Sequence, residues 1–171
     1  MLPGDNYTIR RFTSDDAPTY KHMRLEALQT EAGMFGSSHS REAAFADELW
    51  RERLANPHAA FFGLYDGNEL IGITGILVAD KEKPDTALMV ASYIRKAYRG
   101  MGLSAMLYAA RIAWAKAHGI KRIELAHRAS NAASKGANAK FGFKYTRSEA
   151  REWLDGGKED IVYYELKTPN P

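Results

Sequence analysis

A glycine-rich basic turn lies where the sequence changes from a strand pattern to a helix pattern, and its residues suit the binding of an anion. The turn covers residues 95–104, which read RKAYRGMGLS. Gly100 and Gly102 lack a Cβ, so the backbone can adopt positive φ and approach a ligand closely. The first N–H groups of the following helix have no intrahelical partner, and the helix dipole and three basic side chains favour an anion there. The turn is therefore predicted to bind phosphate.

The spacing within this turn excludes two familiar kinds of nucleotide site. A P-loop needs Gly-Lys-Ser/Thr at Walker spacing, and a dinucleotide-binding fingerprint needs a third glycine. Neither pattern is present. A Gly-x-Gly alone also suits an ordinary turn before a surface helix, so the assignment depends on the segments downstream.

Apolar periodicity places the turn between a central strand and a long helix. The segment from Thr86 to Ile94 has a strand pattern, and apolar residues from Leu103 to Ala117 recur at helical spacing. Gly119 is expected to end this helix as its C′ residue. The next strand, Arg122–His127, follows after a short connection, which predicts a parallel crossover with the central strand.

The rest of the chain is predicted to complete one mixed α/β sheet with helices on its faces. Ser14 is expected to cap a first helix. A second helix carries an apolar face, and a short helix covers Asn131 to Lys140. The apolar face of the second helix consists of Phe45, Leu49, Trp50 and Leu54. Further strands are expected at Tyr7–Phe12, Ala60–Tyr65, Leu70–Val78 and Asp160–Leu166, with another entered through Phe141–Tyr145.

Length and composition indicate one domain over residues 1–171. The chain has no cysteine, so it has no disulfide, thiolate nucleophile or Cys-ligated zinc, and its scattered histidines show no metal spacing. We therefore expect no metal. The 24 Lys and Arg against 21 Asp and Glu give a mild charge, which predicts no nucleic-acid binding. We find no run of membrane-spanning length and no secretion signal, so we predict no membrane partner and a cytoplasmic protein.

Three signatures together resemble the GNAT N-acetyltransferases. The segment from Tyr98 to Ser104 falls on the family's acetyl-CoA motif, Arg/Gln-x-x-Gly-x-Gly/Ala, with Ser104 in place of the final Gly or Ala. Asn131 lies four residues beyond the preceding predicted strand, and Gly142-Phe143 follows it. These two features resemble the family signature Asn-x-x-Ala-x-x-x-Tyr-x-x-x-Gly-Phe.

The resemblance implies a fold and an activity. The GNAT (acyl-CoA N-acyltransferase) fold is a single mixed, mostly antiparallel sheet with a splayed central parallel strand pair and helices on both faces. The implied transferase is an acetyl-CoA-dependent N-acetyltransferase, in which a primary amine attacks the acyl donor directly in a ternary complex. The acceptor would be a small-molecule amine or a peptide or protein amine, and a homodimer is a further expectation. The alternative is a GNAT-fold acyl-CoA-binding or sensor module with little catalysis.

The resemblance also implies which residues contact CoA. Backbone groups of Ser92, Tyr93 and Ile94 would pair with the amides of pantetheine. Asn131 would contact pantetheine or hold the strand splay open, and a plain helix N-cap is its alternative role. The pyrophosphate would bind at Arg99, Gly100, Met101, Gly102, Leu103 and Ser104. The thioester and nucleotide side would be lined by Ser134, Ala137, Asn138 and Lys140.

Candidate catalytic residues follow the turn. The tyrosine that often protonates the departing CoA thiolate in the family falls on Asn138, which can donate a hydrogen bond but is no useful acid. Ser134 is therefore a candidate donor. Glu124 is a candidate general base because it shares a strand face with Ala126, where some members carry Glu. His127 has a suitable ordinary pKa but faces the other way, and a packing role fits it equally.

The acceptor side is expected near the first two helices. The resemblance places Glu26 and Glu31 of the first helix where this fold often builds its acceptor pocket. The loop from Phe35 to Arg41 lies between the first two helices, and we predict that it sets the choice of acceptor.

Overall fold

The computed structural model describes residues 6–169 and shows one seven-stranded mixed sheet. The strand order is β1-β2-β3-β4-β5-β7-β6. All neighbouring strands are antiparallel except β4 and β5, which are parallel, so the predicted sheet is confirmed. The strands are β1 (Tyr7–Arg11), β2 (Ala59–Asp66), β3 (Glu69–Leu77), β4 (Thr86–Ile94), β5 (Arg122–Arg128), β6 (Lys144–Glu149) and β7 (Ile161–Lys167).

Helices cover both faces of the sheet. Phe61 and Phe62 are adjacent in β2 and point to opposite faces, as strand geometry requires. Phe61 packs in one cluster with Trp50 of the first helical layer, whereas Phe62 packs with Trp114 in the layer on the other face. The first layer contains α1 (Ala17–Thr30), α2 (His39–Ala43) and α3 (Asp47–Ala55), and the second contains α4 (Ser104–Ala117) and α5 (Ala132–Lys140).

The parallel strands β4 and β5 pair only at their first three residues and then separate. Their register ends where Leu88 lies opposite Glu124. Beyond that point β4 stays paired with β3, and β5 stays paired with β7 as far as Arg128. This separation leaves one edge of β4 free in the middle of the sheet.

A bulge interrupts the free part of β4. The register between β3 and β4 shifts after Ile73, and Ala91 opposite has φ of +60°. A non-glycine residue rarely adopts this conformation, and such strain is concentrated at functional sites. The bulge therefore makes the free edge of β4 a candidate functional surface.

Two local predictions are corrected at the helix starts. Thr13, and not Ser14, begins the first helical segment, because Ser14–Asp16 form a 3-10 turn whose Asp16 carboxylate accepts from the N–H of Thr13 at 2.7 Å. The second predicted helix is two helices, α2 and α3, with a bend between them. Leu49 on α3 is 40% exposed because the buried face of this helix is formed by Trp50 and Leu54.

The end of the long helix agrees with its sequence pattern. The helix α4 ends at Ala117, and Gly119 follows with φ of +70°. Positive φ is what a C′ glycine supplies.

Candidate active site

A cavity of about 500 Å³ opens where β4 and β5 separate. Its wall includes the glycine turn, the first residues of α4, and residues after α1, among them Glu31 and Phe35. The free part of β4, from Met89 to Ile94, and residues of α4 and α5 also line it. The cavity therefore brings the predicted phosphate site and the residues after α1 into one space.

The turn has the conformation that anion binding requires. Gly100 and Gly102 both have φ of +77°, and a Cβ built on either would meet no atom within 4 Å. The space over the turn is therefore open. Within residues 6–169, the backbone N–H groups of residues 100–104 donate to no backbone carbonyl. Buried Leu103 anchors the turn in a small apolar cluster, so these N–H groups are held in place without a backbone acceptor.

The structure brings together most of the residues that the sequence singled out. The cavity is lined by Ser92, Tyr93, Ile94, Arg99, Gly100, Gly102, Leu103, Ser104, Asn131, Ser134, Ala137 and Asn138. Three of the predicted cofactor-binding and catalytic residues lie outside this lining. Met101 is 45% exposed on the outer side of the turn, and Lys140 is exposed at the last position of α5. Glu124 lies where β4 and β5 are still paired, so its position gives no support to a role as general base.

Arg99 lies at the turn, but its guanidinium points towards α1. Its Nη2 lies 2.6 Å from Oε1 of Glu31, and its Nε donates to the carbonyl of Ile94 at 2.8 Å. The Arg99 charge is thus already paired. In this structure the open N–H groups of the turn, more than this side chain, are available to an anion.

Asn131 occupies the N-cap of α5. Its Oδ1 accepts a hydrogen bond from the N–H of Ser134 at 3.1 Å, which fixes the first turn of the helix. The amide nitrogen of Asn131 and the hydroxyl of Ser134 make no hydrogen bond within the described chain. Both side chains line the cavity, so these groups are available to a ligand.

Asn138 is fully buried, and both of its polar groups are used by the protein. Its Oδ1 accepts from the hydroxyl of Tyr108 at 2.7 Å, and its Nδ2 donates to Nε2 of His127 at 2.9 Å. The Nδ1–H of His127 donates to the carbonyl of Arg128 at 2.7 Å. Burial lowers the pKa of His127, which keeps this ring neutral. The network supports a packing role for His127 and gives no support to Asn138 as a catalytic donor.

The glutamates of α1 differ in their surroundings. Glu26 is held by Arg95 through two hydrogen bonds of 2.9 Å, and the hydroxyl of Tyr93 adds a third at 3.1 Å. The bond from Arg95 lowers the pKa of Glu26. Glu31 lines the cavity, and Glu26 does not. Among the cavity residues that the structure describes, Glu31 is the one carboxylate.

Two arginines were not predicted from the sequence, Arg111 in the cavity wall and Arg128 at the end of β5. Arg111 interrupts the apolar face of α4, at a position four residues after Leu107 and three before Trp114, and this spacing was a readable signal. Arg128 ties the end of α1 to the β6–β7 connection, because it donates to the carbonyl of Gly33 at 2.8 Å and pairs with Asp155 at 2.7 Å. The positive φ of Ala91 had no sequence signal, since alanine gives none.

Comparison with known proteins gives the family. Residues 23–143 match the model of the acetyltransferase (GNAT) family. This match covers most of the chain, so the protein belongs to the GNAT acetyltransferase family and is an enzyme of the acetyltransferase class. A search of curated proteins finds no match.

Solved structures share the fold over nearly the whole chain. A GNAT acetyltransferase from Streptococcus pneumoniae has 19% identity and a TM-score of 0.79, with 95% of this chain and 99% of that chain covered. An acetyltransferase from Salmonella typhimurium, solved with acetyl-CoA, has 17% identity and a TM-score of 0.75, with 95% and 94% covered. A ribosomal-protein-alanine N-acetyltransferase from Brucella melitensis has 17% identity and a TM-score of 0.78, with 94% and 99% covered. At these identities the likeness establishes the fold.

Two further observations apply to residues 6–169. No group of three or more His, Asp or Glu side chains in that range is arranged to hold a metal ion. None of the helices found there has the length and apolar character needed to cross a membrane.

Proposed function

We propose that this protein transfers the acetyl group of acetyl-CoA to a primary amine, with both substrates bound in a ternary complex and residues 1–171 acting as one domain. The observation that carries the proposal is the cavity lined by the glycine turn, the free edge of β4 and the residues after α1. Family membership supports acetyl-CoA as the donor. The residues after α1 would bind the acceptor.

The residues present fit a CoA thioester. The N–H groups of the turn and the N-terminus of α4 would hold the pyrophosphate. The free edge of β4 would pair with the amides of pantetheine as an added strand. The Nδ2 of Asn131, which is not used by the cap, would donate to a pantetheine carbonyl.

Direct transfer requires the amine nitrogen to bond to the thioester carbon while the C–S bond breaks with its electron pair on sulfur. Negative charge develops on the thioester oxygen during this step, and backbone N–H groups at the bulge of β4 would stabilise it. The chain contains no cysteine that could carry an acetyl group as an intermediate. This composition supports attack by the acceptor amine itself.

Two side chains are proposed to handle protons. Glu31 would accept the proton that the attacking amine loses, directly or through water, because it is the one carboxylate among the described cavity residues. The hydroxyl of Ser134 would donate a hydrogen bond to the CoA sulfur. The need for a base is greater for a lysine acceptor, whose ordinary pKa is about 10.4, than for an α-amine at about 7.7–8.0.

A panel of amines with a free-thiol readout tests the proposal. Each assay contains acetyl-CoA, the purified protein and one acceptor from small amines, amino acids, peptides with a free N-terminus or peptides with a lysine. We expect release of CoA that depends on one acceptor class, with the acetylated product identified by mass. Tight binding of acetyl-CoA without transfer to any acceptor would support the alternative of an acyl-CoA sensor, which the engaged side chain of Asn138 favours.

A further inference from the structure

Arg111 is a buried cation in the cavity wall. It lies on α4, is 3% exposed, and forms no ion pair with any carboxylate in the described part of the chain. Its Nε donates to the carbonyl of Leu107 at 3.0 Å, and its Nη1 donates to Oγ of Ser92 at 2.9 Å. Its Nη2 makes no hydrogen bond to residues 6–169. The guanidinium therefore retains N–H donors that are free to bind a ligand in the cavity.

Arg111 remains charged at neutral pH. Burial lowers its pKa to about 10, which still leaves the guanidinium protonated at pH 7. Besides its hydrogen bonds, Arg111 makes a cation–π contact with Tyr108, in which Cζ lies 4.9 Å from the ring centre. Burying a charge without a partner is unfavourable, and an apolar residue at this position would pack more favourably. This unfavourable arrangement implies a partner of opposite charge that the protein itself does not supply.

The other basic residues of the cavity are already neutralised or neutral. Arg99 is paired with Glu31 at 2.6 Å, and His127 is held neutral in the network with Asn138. Arg111 thus supplies the uncompensated positive charge among the cavity residues that the structure describes.

Arg111 contacts the bulge of β4, where the thioester would lie in the proposed function. Its partner Ser92 directly follows Ala91, the residue with φ of +60° at the bulge of β4, and also contacts Oγ1 of Thr74 at 2.8 Å. The bulge lies on the free strand edge that holds the thioester in the proposed function, on which this inference rests. The guanidinium is therefore beside the place where negative charge would form.

We propose that Arg111 stabilises the negative charge that forms on the CoA sulfur when the acetyl group leaves. In that step the amine nitrogen bonds to the acetyl carbon, the C–S bond breaks, and its electron pair stays on sulfur as the thiolate. A fixed positive charge in the buried wall of the cavity would stabilise this thiolate without reorganisation. This role compensates for Asn138, which stands at the family's tyrosine position and has no acidic proton to give.

The test measures the thiol pKa of CoA bound to the protein, which needs no acceptor amine. Thiolate absorbance is followed against pH for CoA with the unchanged protein, with Arg111→Met and with Arg111→Lys. Methionine fills a similar apolar volume without charge, and lysine restores the charge. The control is Arg51→Met, which removes an exposed arginine of α3 that pairs with Glu48 and does not line the cavity.

We expect the bound thiol to titrate at least about one pH unit lower in the unchanged protein than in Arg111→Met, with Arg111→Lys between them and Arg51→Met unchanged. Equal thiol pKa values in folded unchanged protein and Arg111 variants would overturn the inference. So would a preference for succinyl-CoA over acetyl-CoA that Arg111→Met abolishes, because the charge would then recognise an acyl carboxylate. Failure of the unchanged protein to bind CoA would instead refute the proposed function.

Discussion

The hydroxyl of Tyr108 donates a 2.7 Å hydrogen bond to Oδ1 of Asn138, and this bond joins α4 to α5 along one side of the cavity. Phe141, just after α5, stacks on the Tyr108 ring at 4.5 Å with nearly parallel planes. The two helices are therefore held together by a polar bond and an aromatic contact. Asn138 therefore has a structural role in the wall of the site.

Asn138→Ala should destabilise the fold. The substitution leaves the hydroxyl of Tyr108 and Nε2 of His127 buried without their partner, which costs about 2–3 kcal/mol of unfolding free energy. Urea unfolding measures this loss. Asn131→Ala is the control, because loss of an N-cap costs only about 1 kcal/mol. Equal stability of the two variants would show that the buried network contributes nothing beyond an ordinary cap.

Arg99→Ala should weaken CoA binding by less than about tenfold. The guanidinium is already paired with Glu31 and bonded to the carbonyl of Ile94, so the turn's N–H groups carry most of the pyrophosphate contact. Calorimetric titration of CoA measures the change, with circular dichroism as a check of folding. A loss of a hundredfold or more, about 2.7 kcal/mol, would mean that Arg99 leaves Glu31 and binds the phosphates directly.

The stability of the protein should fall as the pH drops from about 7 towards 5, in part through His127. Burial lowers its pKa from the ordinary value of 6.5, so the unfolded chain binds more protons than the folded chain in this range. The contribution is fully present above the unfolded pKa and is lost as the pH falls below it, by at most about 1.4 kcal/mol per pH unit. His127→Gln, which keeps an acceptor for Asn138, should show a shallower slope in urea unfolding at several pH values. Identical slopes would contradict the assignment.

Phe35→Ala should change the preference among acceptors and leave CoA affinity within about threefold. Phe35 lines the cavity just after α1, and the guanidinium of Arg24 lies 5.0 Å from its ring. Relative rates across the amine panel and a CoA titration measure the two effects. The control is Phe45→Ala, which removes a ring that packs against Trp50 outside the cavity. Lost CoA binding with unchanged acceptor preference would place the acceptor site elsewhere.

The fold and the conformation of the glycine turn could be predicted from the sequence because local patterns determine them. Gly100 and Gly102 adopt the positive φ that their spacing before an apolar helix indicated, and Asn131 caps the helix that its position suggested. Short-range chemistry sets each of these features, so one sequence suffices to see them.

Side-chain partners across the fold could not be read in the same way. The pairing of Arg99 with Glu31 and the burial of Asn138 between Tyr108 and His127 depend on helices that are distant in sequence. Glu124 shared a face with Ala126, but alternation says nothing of where β5 leaves β4. These contacts depend on how strands and helices that are distant in sequence pack together, which the local spacing of residues does not determine.

Titration of acetyl-CoA into the unchanged protein, Gly102→Asp and Gly119→Asp tests the central claim most directly. Both glycines have positive φ and open space for a Cβ, at opposite ends of α4, so the two substitutions strain the backbone alike. We predict that the unchanged protein and Gly119→Asp bind acetyl-CoA with micromolar affinity. Gly102→Asp should lose at least about a hundredfold in affinity, because its carboxylate would repel the pyrophosphate. Equal affinity of a folded Gly102→Asp, or no binding by the unchanged protein, would contradict the assignment of the turn as the acetyl-CoA phosphate site.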